Sequence, residues 1–240
     1  MGKSKIKDYI KKFLNTIFPV KCVCCKTISK DTNIVCDKCM SELVREAMRK
    51  CRFCGRPPYL CRCKTVENIE DVVTPFFYTG EKIKTAIYAV KKANLYYINE
   101  FFAKGMYNSV KSSDRIKIDE IDYITFIPRM KKSVRKYGYN QTKYLAKLIS
   151  KYSGIPCLSV LNASRLYKRE QKTLSKSERI LNVKDKFSVA KNKRPVITTK
   201  TMLLIDDIVT TGSTLSECAR VMKQAGAYKV YALCAASVFS

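Results

Sequence analysis

Histidine and tryptophan are both absent from the 240-residue sequence. Without His there is no Ser-His-Asp or Cys-His relay, no HExxH metallopeptidase helix and no Cys₂His₂ finger. No window approaches the roughly 18 apolar residues of a membrane span. The opening residues 1–13 are cationic throughout and lack an apolar stretch and a small-residue cleavage site, so no secretory leader is expected. Ile6 stands where a myristoylation signal needs Ser or Thr. The expected location is therefore the reducing cytoplasm, with no membrane span. Acidic residues are scarce as well: 20 Asp and Glu stand against 47 Lys and Arg, a formal charge of +27. That excess exceeds what solubility requires and points to a polyanionic partner.

The excess is concentrated in two blocks. Residues 1–64 carry 16 basic and 5 acidic side chains, and residues 121–200 carry 20 and 4. Residues 65–120 (8 of each sign) and 201–240 (3 of each) are neutral. A lysine-rich proteome inflates a total, but by itself it does not leave two neutral stretches. The length accommodates one large domain or two modest ones.

Nine of the 12 cysteines fall between residues 22 and 63, while Cys157, Cys218 and Cys234 are scattered singly. In a reducing compartment such a cluster reads as metal ligands rather than disulfides. Cys22-x₂-Cys25 and Cys36-x₂-Cys39 fit one tetrahedral four-thiolate site, because a CxxC turn brings two thiolates to one ion. Cys51, Cys54, Cys61 and Cys63 offer a second, although Cys61-x-Cys63 has one intervening residue instead of two. Interleaved ligation between the two sets stays open, and Cys24 is left over. With no His available, the expectation is structural Zn²⁺, one ion or two.

Helical spacing of Ile6, Ile10, Phe13, Leu14, Ile17 and Phe18 predicts an amphipathic lead-in helix ended by Pro19. A short helix is expected after Cys39. Beyond residue 66 the pattern changes. Residues 71–80 read as a strand closing in a turn, 82–93 as a helix, 116–118 as a strand fragment and 123–127 as a buried strand halted by Pro128. Residues 142–154 read as a helix stopped by Gly154. Residues 162–194 are polar, cationic and aperiodic, the mark of a functional lid or a linker. The expected domains are 1–66, an amphipathic helix with a cysteine-rich zinc-binding unit, and 67–240, an α/β unit with a mostly parallel sheet.

The clearest signal is residues 201–215, TMLLIDDIVTTGSTL. An apolar strand ends in Asp206 and Asp207, and a turn of Thr210, Thr211, Gly212, Ser213 and Thr214 opens a helix expected to run to Gly226. Such a turn presents backbone N–H groups and a helix dipole to an anion. Two carboxylates beside an anion would repel it unless a hydroxyl-rich or cationic group lies between. A ribose 5-phosphate satisfies both, with its phosphate in residues 210–214 and its 2′- and 3′-hydroxyls donating to Asp206 and Asp207. No GxxxxGK[ST] occurs, which disfavours a nucleoside-triphosphatase reading of the acidic strand.

This stretch resembles the 5-phosphoribosyl 1-diphosphate (PRPP) motif of type I phosphoribosyltransferases. Joined to zinc knuckles, the chain resembles the ComF family, associated with DNA uptake in competent bacteria. Further matching pieces are Phe18-Pro19, Phe77-Tyr78-x-Gly80, the helix carrying Lys91, and Pro128 with Arg135-x-Tyr137-Gly138-Tyr139-Asn140-Gln141. A last one is Gln171-x-x-Leu174-Ser175-x-x-x-Arg179-x-x-Asn182-Val183. The departures are Lys136, Tyr139 and the Cys61-x-Cys63 ending.

The resemblance implies a type I phosphoribosyltransferase-like parallel sheet with helices, preceded by a small cysteine-rich zinc-binding domain. It also implies PRPP with Mg²⁺ as ligand, and a catalytic role for Asp206 and Asp207 if the protein is an enzyme. Pro128 and Arg129 would face the diphosphate. Lys168, Arg169 and Arg179 would be candidates on a hood loop at 165–179. Three functions follow: handling of single-stranded DNA during uptake, transfer of ribose 5-phosphate to an acceptor, or zinc-scaffolded docking of an uptake helicase. Tyr137, Tyr139, Tyr144, Tyr152 and Tyr167 interleave with Lys and Arg as stacking residues of single-strand binders do, a pattern ordinary packing also produces.

Overall fold

In a computed structural model, the described residues are 19, 21–22, 24–28, 35–47, 51, 56–57, 60–61, 63, 65–78, 81–92, 96–129, 139–163 and 185–238. The predicted lead-in helix lies outside them.

A nine-residue apolar strand, β6 (Thr201–Val209), pairs in parallel along nearly its whole length with β7 (Lys229–Ser237). On the far side of β6 lies β3 (Tyr123–Phe126). Beyond β7 lie the two-residue strands β1 (Val72–Val73) and β2 (Phe76–Phe77). Every pairing in this sheet is parallel, in the order β1-β7-β6-β3. The strand expected over 71–80 is thus split. Pro75 sits at the bend, and Pro lacks the N–H that a continuous ladder needs.

Side chains of β6 alternate between two apolar layers. Leu203 and Ile205 join the layer formed by α2 (Glu81–Lys92), α3 (Tyr96–Lys111) and α4 (Gln141–Ser153). Met202, Leu204 and Val209 join the opposite layer with α6 (Ser213–Gln224) and the one-turn α5 (Arg194–Ile197). This is a helix–sheet–helix stack, as the βα alternation predicts. Helix α3 was not anticipated. Its Ile98, Phe102 and Met106 are fully buried, with Phe102 edge-on to Phe76 at 5.8 Å.

Local signals set the ends of α4. Asn140 accepts from the Lys143 N–H at 3.4 Å, and Gly154 takes φ +76 at the C-terminus, a conformation that suits glycine. The strand expected at 116–118 does not form, and Ile118–Glu120 is a single 3₁₀ turn. At the two described ends of residues 162–194 there is more structure than the composition suggests. β4 (Leu161–Ala163) and β5 (Phe187–Val189) form a separate antiparallel pair that flanks the segment 164–186.

Candidate functional site

The acidic pair stands at the C-terminal end of β6, where a parallel α/β sheet places its ligand crevice. Adjacent residues of a strand point to opposite faces, so the two carboxylates diverge. The charge of Asp206 reaches the buried thiol of Cys218 on α6, whose pKa is raised first by burial and then by that carboxylate. Asp207 turns toward the loop after β3, where its carboxylate lies 3.8 Å from the Arg129 guanidinium. Arg129 also donates to the Gln141 side chain at 3.4 Å. Pro128 and Arg129 are half-buried in the loop after β3, and Arg129 is the one that meets Asp207.

The turn that follows has the shape its composition suggests. Gly212 takes φ +83 as the N-cap of α6, and among the described residues no side chain caps the helix. A helix N-terminus leaves first-turn N–H groups without intrahelical partners, the kind of donors an anion takes up. Thr211 Oγ1 lies 2.9 Å from Ser213 Oγ and accepts from the Ser213 N–H at 3.4 Å. Thr210 is exposed, while Thr211, Ser213 and Thr214 are partly buried. Glycine is required here twice over. Besides the positive φ, an added Cβ would lie 2.6 Å from Val66 Cγ2.

Two further contributors, Asn99 and Glu217, carry no sequence signal, whereas Tyr139 belongs to the motif at 135–141. Tyr139 comes near the acid–arginine pair: burial holds its phenol above the usual value, opposed by a hydrogen bond with Asn99 and by the Arg129 charge. Asn99, on α3, is fully buried. Glu217 on α6 is buried and bidentate with Arg220, both contacts at 2.7 Å, and it accepts the Asp185 N–H at 2.9 Å. Neither spacing nor composition distinguishes Asn99 or Glu217, because Tyr139 and Asp185, which they meet, are remote in the sequence. Lys168, Arg169 and Arg179 lie outside the described residues.

The cysteines sort into two separate groups. Cys22, Cys25, Cys36 and Cys39 bring their sulfurs within 4.8 Å of one another, as do Cys51, Cys61 and Cys63. Cys54 lies outside the described residues. In the first group Lys21 and Ile28 bridge a small hairpin, and the Cys36 N–H points to Cys22 Sγ at 3.4 Å. Helix α1 (Asp37–Ala47) begins before Cys39 rather than after it, so Cys39 projects from its first turn. The Thr27 hydroxyl, 2.8 Å from Cys25 Sγ, and then the Thr27 backbone pull that thiol down to about 6, toward the thiolate a metal needs. Burial pushes the thiol of Cys24 up to about 12. Cys24, outside the group, is thereby kept protonated. None of the eleven cysteines among the described residues is in a disulfide. All-sulfur donor sets of this kind could hold a zinc ion in a closed, structural site.

The second group is fastened to the sheet. Arg115, only 8% exposed, donates from Nη1 to the Cys61 carbonyl at 2.7 Å. The same guanidinium grips the Asp71 carboxylate through Nε at 2.8 Å and through Nη2, just before β1. The segment of residues 61–71 is thus tied down at both ends.

The fold is phosphoribosyltransferase-like: residues 145–238 match the phosphoribosyl transferase domain family. Across nearly the whole chain the likeness is to competence proteins. Competence protein F of Haemophilus influenzae is 25% identical over 89% of this chain and 95% of its own. Competence protein ComFC of Bacillus subtilis is 23% identical over 80% and 79%. The resemblance to the ComF family is thereby borne out, with the cysteine-rich unit ahead of the parallel sheet. Among solved structures, the allosteric regulatory enzyme of purine biosynthesis is 22% identical, with 57% of this chain aligned to 25% of that one at a TM-score of 0.37. This chain therefore spans about a quarter of that enzyme. No described helix is long and apolar enough to cross a membrane.

Proposed function

We propose that this protein binds PRPP, with Mg²⁺, and uses that site in handling single-stranded DNA during DNA uptake. The carrying observation is the conjunction at the end of β6: two diverging carboxylates, a glycine-centred turn, and an arginine 3.8 Å from the second acid. In this reading the N–H groups of residues 210–214 hold the 5-phosphate. Asp206 and Asp207 accept from the ribose hydroxyls. Arg129, following Pro128, exchanges part of its attraction to Asp207 for the diphosphate. Asp206 and Asp207 would be the acids nearest a Mg²⁺ bound with PRPP, which would offset diphosphate charge there. Lys168, Arg169 and Arg179 would add cations over the same ligand. Zn²⁺ in the cysteine groups is structural.

The DNA assignment draws on the names of the two competence relatives and on the 20 basic against 4 acidic residues of 121–200. Phosphate tracking by such a block gives affinity that falls with salt. Docking of an uptake helicase on the cysteine-rich unit would be compatible with both.

The test is a thermal-shift titration with PRPP and Mg²⁺, with fluorescent single-stranded DNA followed by anisotropy on the same samples. At 100-fold excess over Kd, PRPP should stabilise the protein by about 2.7 kcal/mol. Asp206→Asn combined with Asp207→Asn should abolish that gain. No shift in the wild type sinks the PRPP reading, and DNA affinity indifferent to salt sinks the DNA reading. Diphosphate release on adding an acceptor would extend the reading to catalysis.

A further inference from the structure

Residues 65–68, just past the cysteine-rich stretch that ends at Cys63, are not a passive connection. Val66 is 7% exposed and packs its Cγ2 where a Gly212 Cβ would stand, at 2.6 Å. Two residues on, Asn68 takes φ +63 and donates from Nδ2 to Ser216 Oγ, 3.3 Å away on α6. One apolar contact and one hydrogen bond therefore hold the turn and the first coil of its helix from the same side. Between this segment and the turn lies a cavity of about 300 Å³, bounded also by Ser213, Ser216 and Arg220. The segment begins two residues past Cys63, whose sulfur lies 3.9 Å from that of Cys51, and Arg115 secures it at Cys61 and Asp71.

We propose that Val66 and Asn68 are positioning residues of the anion site: supplied by the join to the cysteine-rich unit, they hold the turn at 210–214 in its receiving conformation. Gly212 has wide conformational freedom, and the N–H groups on either side of it follow wherever its φ goes. A wall that fills the space beside it removes the competing conformers, so the donors stand ready and binding does not have to order them. Asn68 acts one turn further along, on the helix whose first N–H groups complete the cradle. The boundary between the two units is on this account part of the site, and a chain cut after residue 64 would keep the wall and its Asp71 anchor but lose the Cys61 one.

The inference rests on the PRPP reading for its ligand, so the experiment has two arms, both on the full, metal-loaded chain. The first measures amide hydrogen exchange at Gly212, Ser213 and Thr214 by NMR without ligand, in wild type, Val66→Ala, Asn68→Ala and the control Val110→Ala. Val110 is equally buried, on α3 in the opposite layer. Exchange at those amides should rise at least about fivefold in the first two variants and stay within twofold in the control. The second arm measures the Kd for PRPP with Mg²⁺, expected to weaken at least about fivefold in Val66→Ala and Asn68→Ala and not in Val110→Ala. Turn exchange within twofold of wild type in both wall variants overturns the proposal. So does an unchanged Kd, or an equal loss in the control. If the wild type binds no PRPP, the PRPP reading fails and the exchange arm alone decides the role of the wall.

Discussion

The cysteine-rich stretch and the α/β body reach order by different routes. Residues 22–63 hold nine cysteines, one described α-helix and a two-residue bridge, with thiols drawn together at two points. The body instead buries two continuous apolar layers against one parallel sheet. A short chain cannot exclude enough water to offset its ordering entropy, and thiols gathered in this way could let it borrow a metal. A longer chain does so with its own side chains. The two are nevertheless not insulated. Cys22, Cys39 and Leu43 belong to the same apolar layer as α2, α3 and α4, and Arg115 reaches from the body to Cys61.

Stripping metal is the strongest way to break this contrast. Structural zinc contributes on the order of 10 kcal/mol to the fold of such small units. Chelation, or Cys39→Ser with Cys61→Ser, should erase hydrogen-exchange protection in α1 while β6 and β7 retain theirs. Loss of protection throughout the sheet would show that the body has no independent order. A smaller effect is expected at the fastening itself. Arg115→Ala leaves Asp71 and the Cys61 carbonyl without their cation and should cost about 3 kcal/mol in urea unfolding. If the cost is below about 1 kcal/mol, the two regions are joined by packing alone.

The smallest effect sharpens the contrast within the body. Asp122 accepts from the Thr201 N–H at 2.8 Å and pairs with Lys200 at 2.9 Å, tying the start of β3 to that of β6. The N–H and then the ammonium hold its carboxyl below the ordinary 3.8. A carboxyl lowered by folding stabilises above its unfolded pKa and loses that contribution as pH falls through the folded one. Asp122→Asn should therefore lower Tm by about 2 °C near pH 7. The difference from wild type should vanish as the pH drops below 3.8 and through the depressed value. A gap that persists in acid would assign the effect to packing rather than charge.

Local grammar was readable in the sequence where it repeats or stops. The periodic residues of α4 with Gly154 behind them, the apolar run of β6, and the contiguous acids, turn and helix all announce themselves within fifteen residues or fewer. Helix α3 escaped because aromatic and β-branched residues at its start suit a strand as well as a helix, and only burial against β2 decides. At 116–118 a short apolar alternation was outweighed by the turn that leads into β3. The anion site divided similarly. Its motif is contiguous and legible, but Asn68 and Ser216 are 148 residues apart, and Arg115 and Asp71 are 44 apart. Pairs of that separation carry no spacing rule. Even the divergence of Asp206 and Asp207 follows from strand geometry, whereas what each one faces does not.

The strand order has a consequence for the protein as it is being made. β7 lies between β1 and β6, although both precede it in the chain, β1 by more than 150 residues. Until residue 237 has left the ribosome, β6 presents one unpaired edge, apolar over Met202–Ile205, and β1 and β2 lack the strand they pair with in this sheet. The cysteine-rich unit has by then long been available to take up metal, so order would advance from the N-terminal end while the sheet waits for its last strand. Slow codons or premature stops between residues 210 and 229 should accordingly yield a product with loaded cysteines and an aggregation-prone half-sheet, the state that chaperones recognise by its bare strand edge.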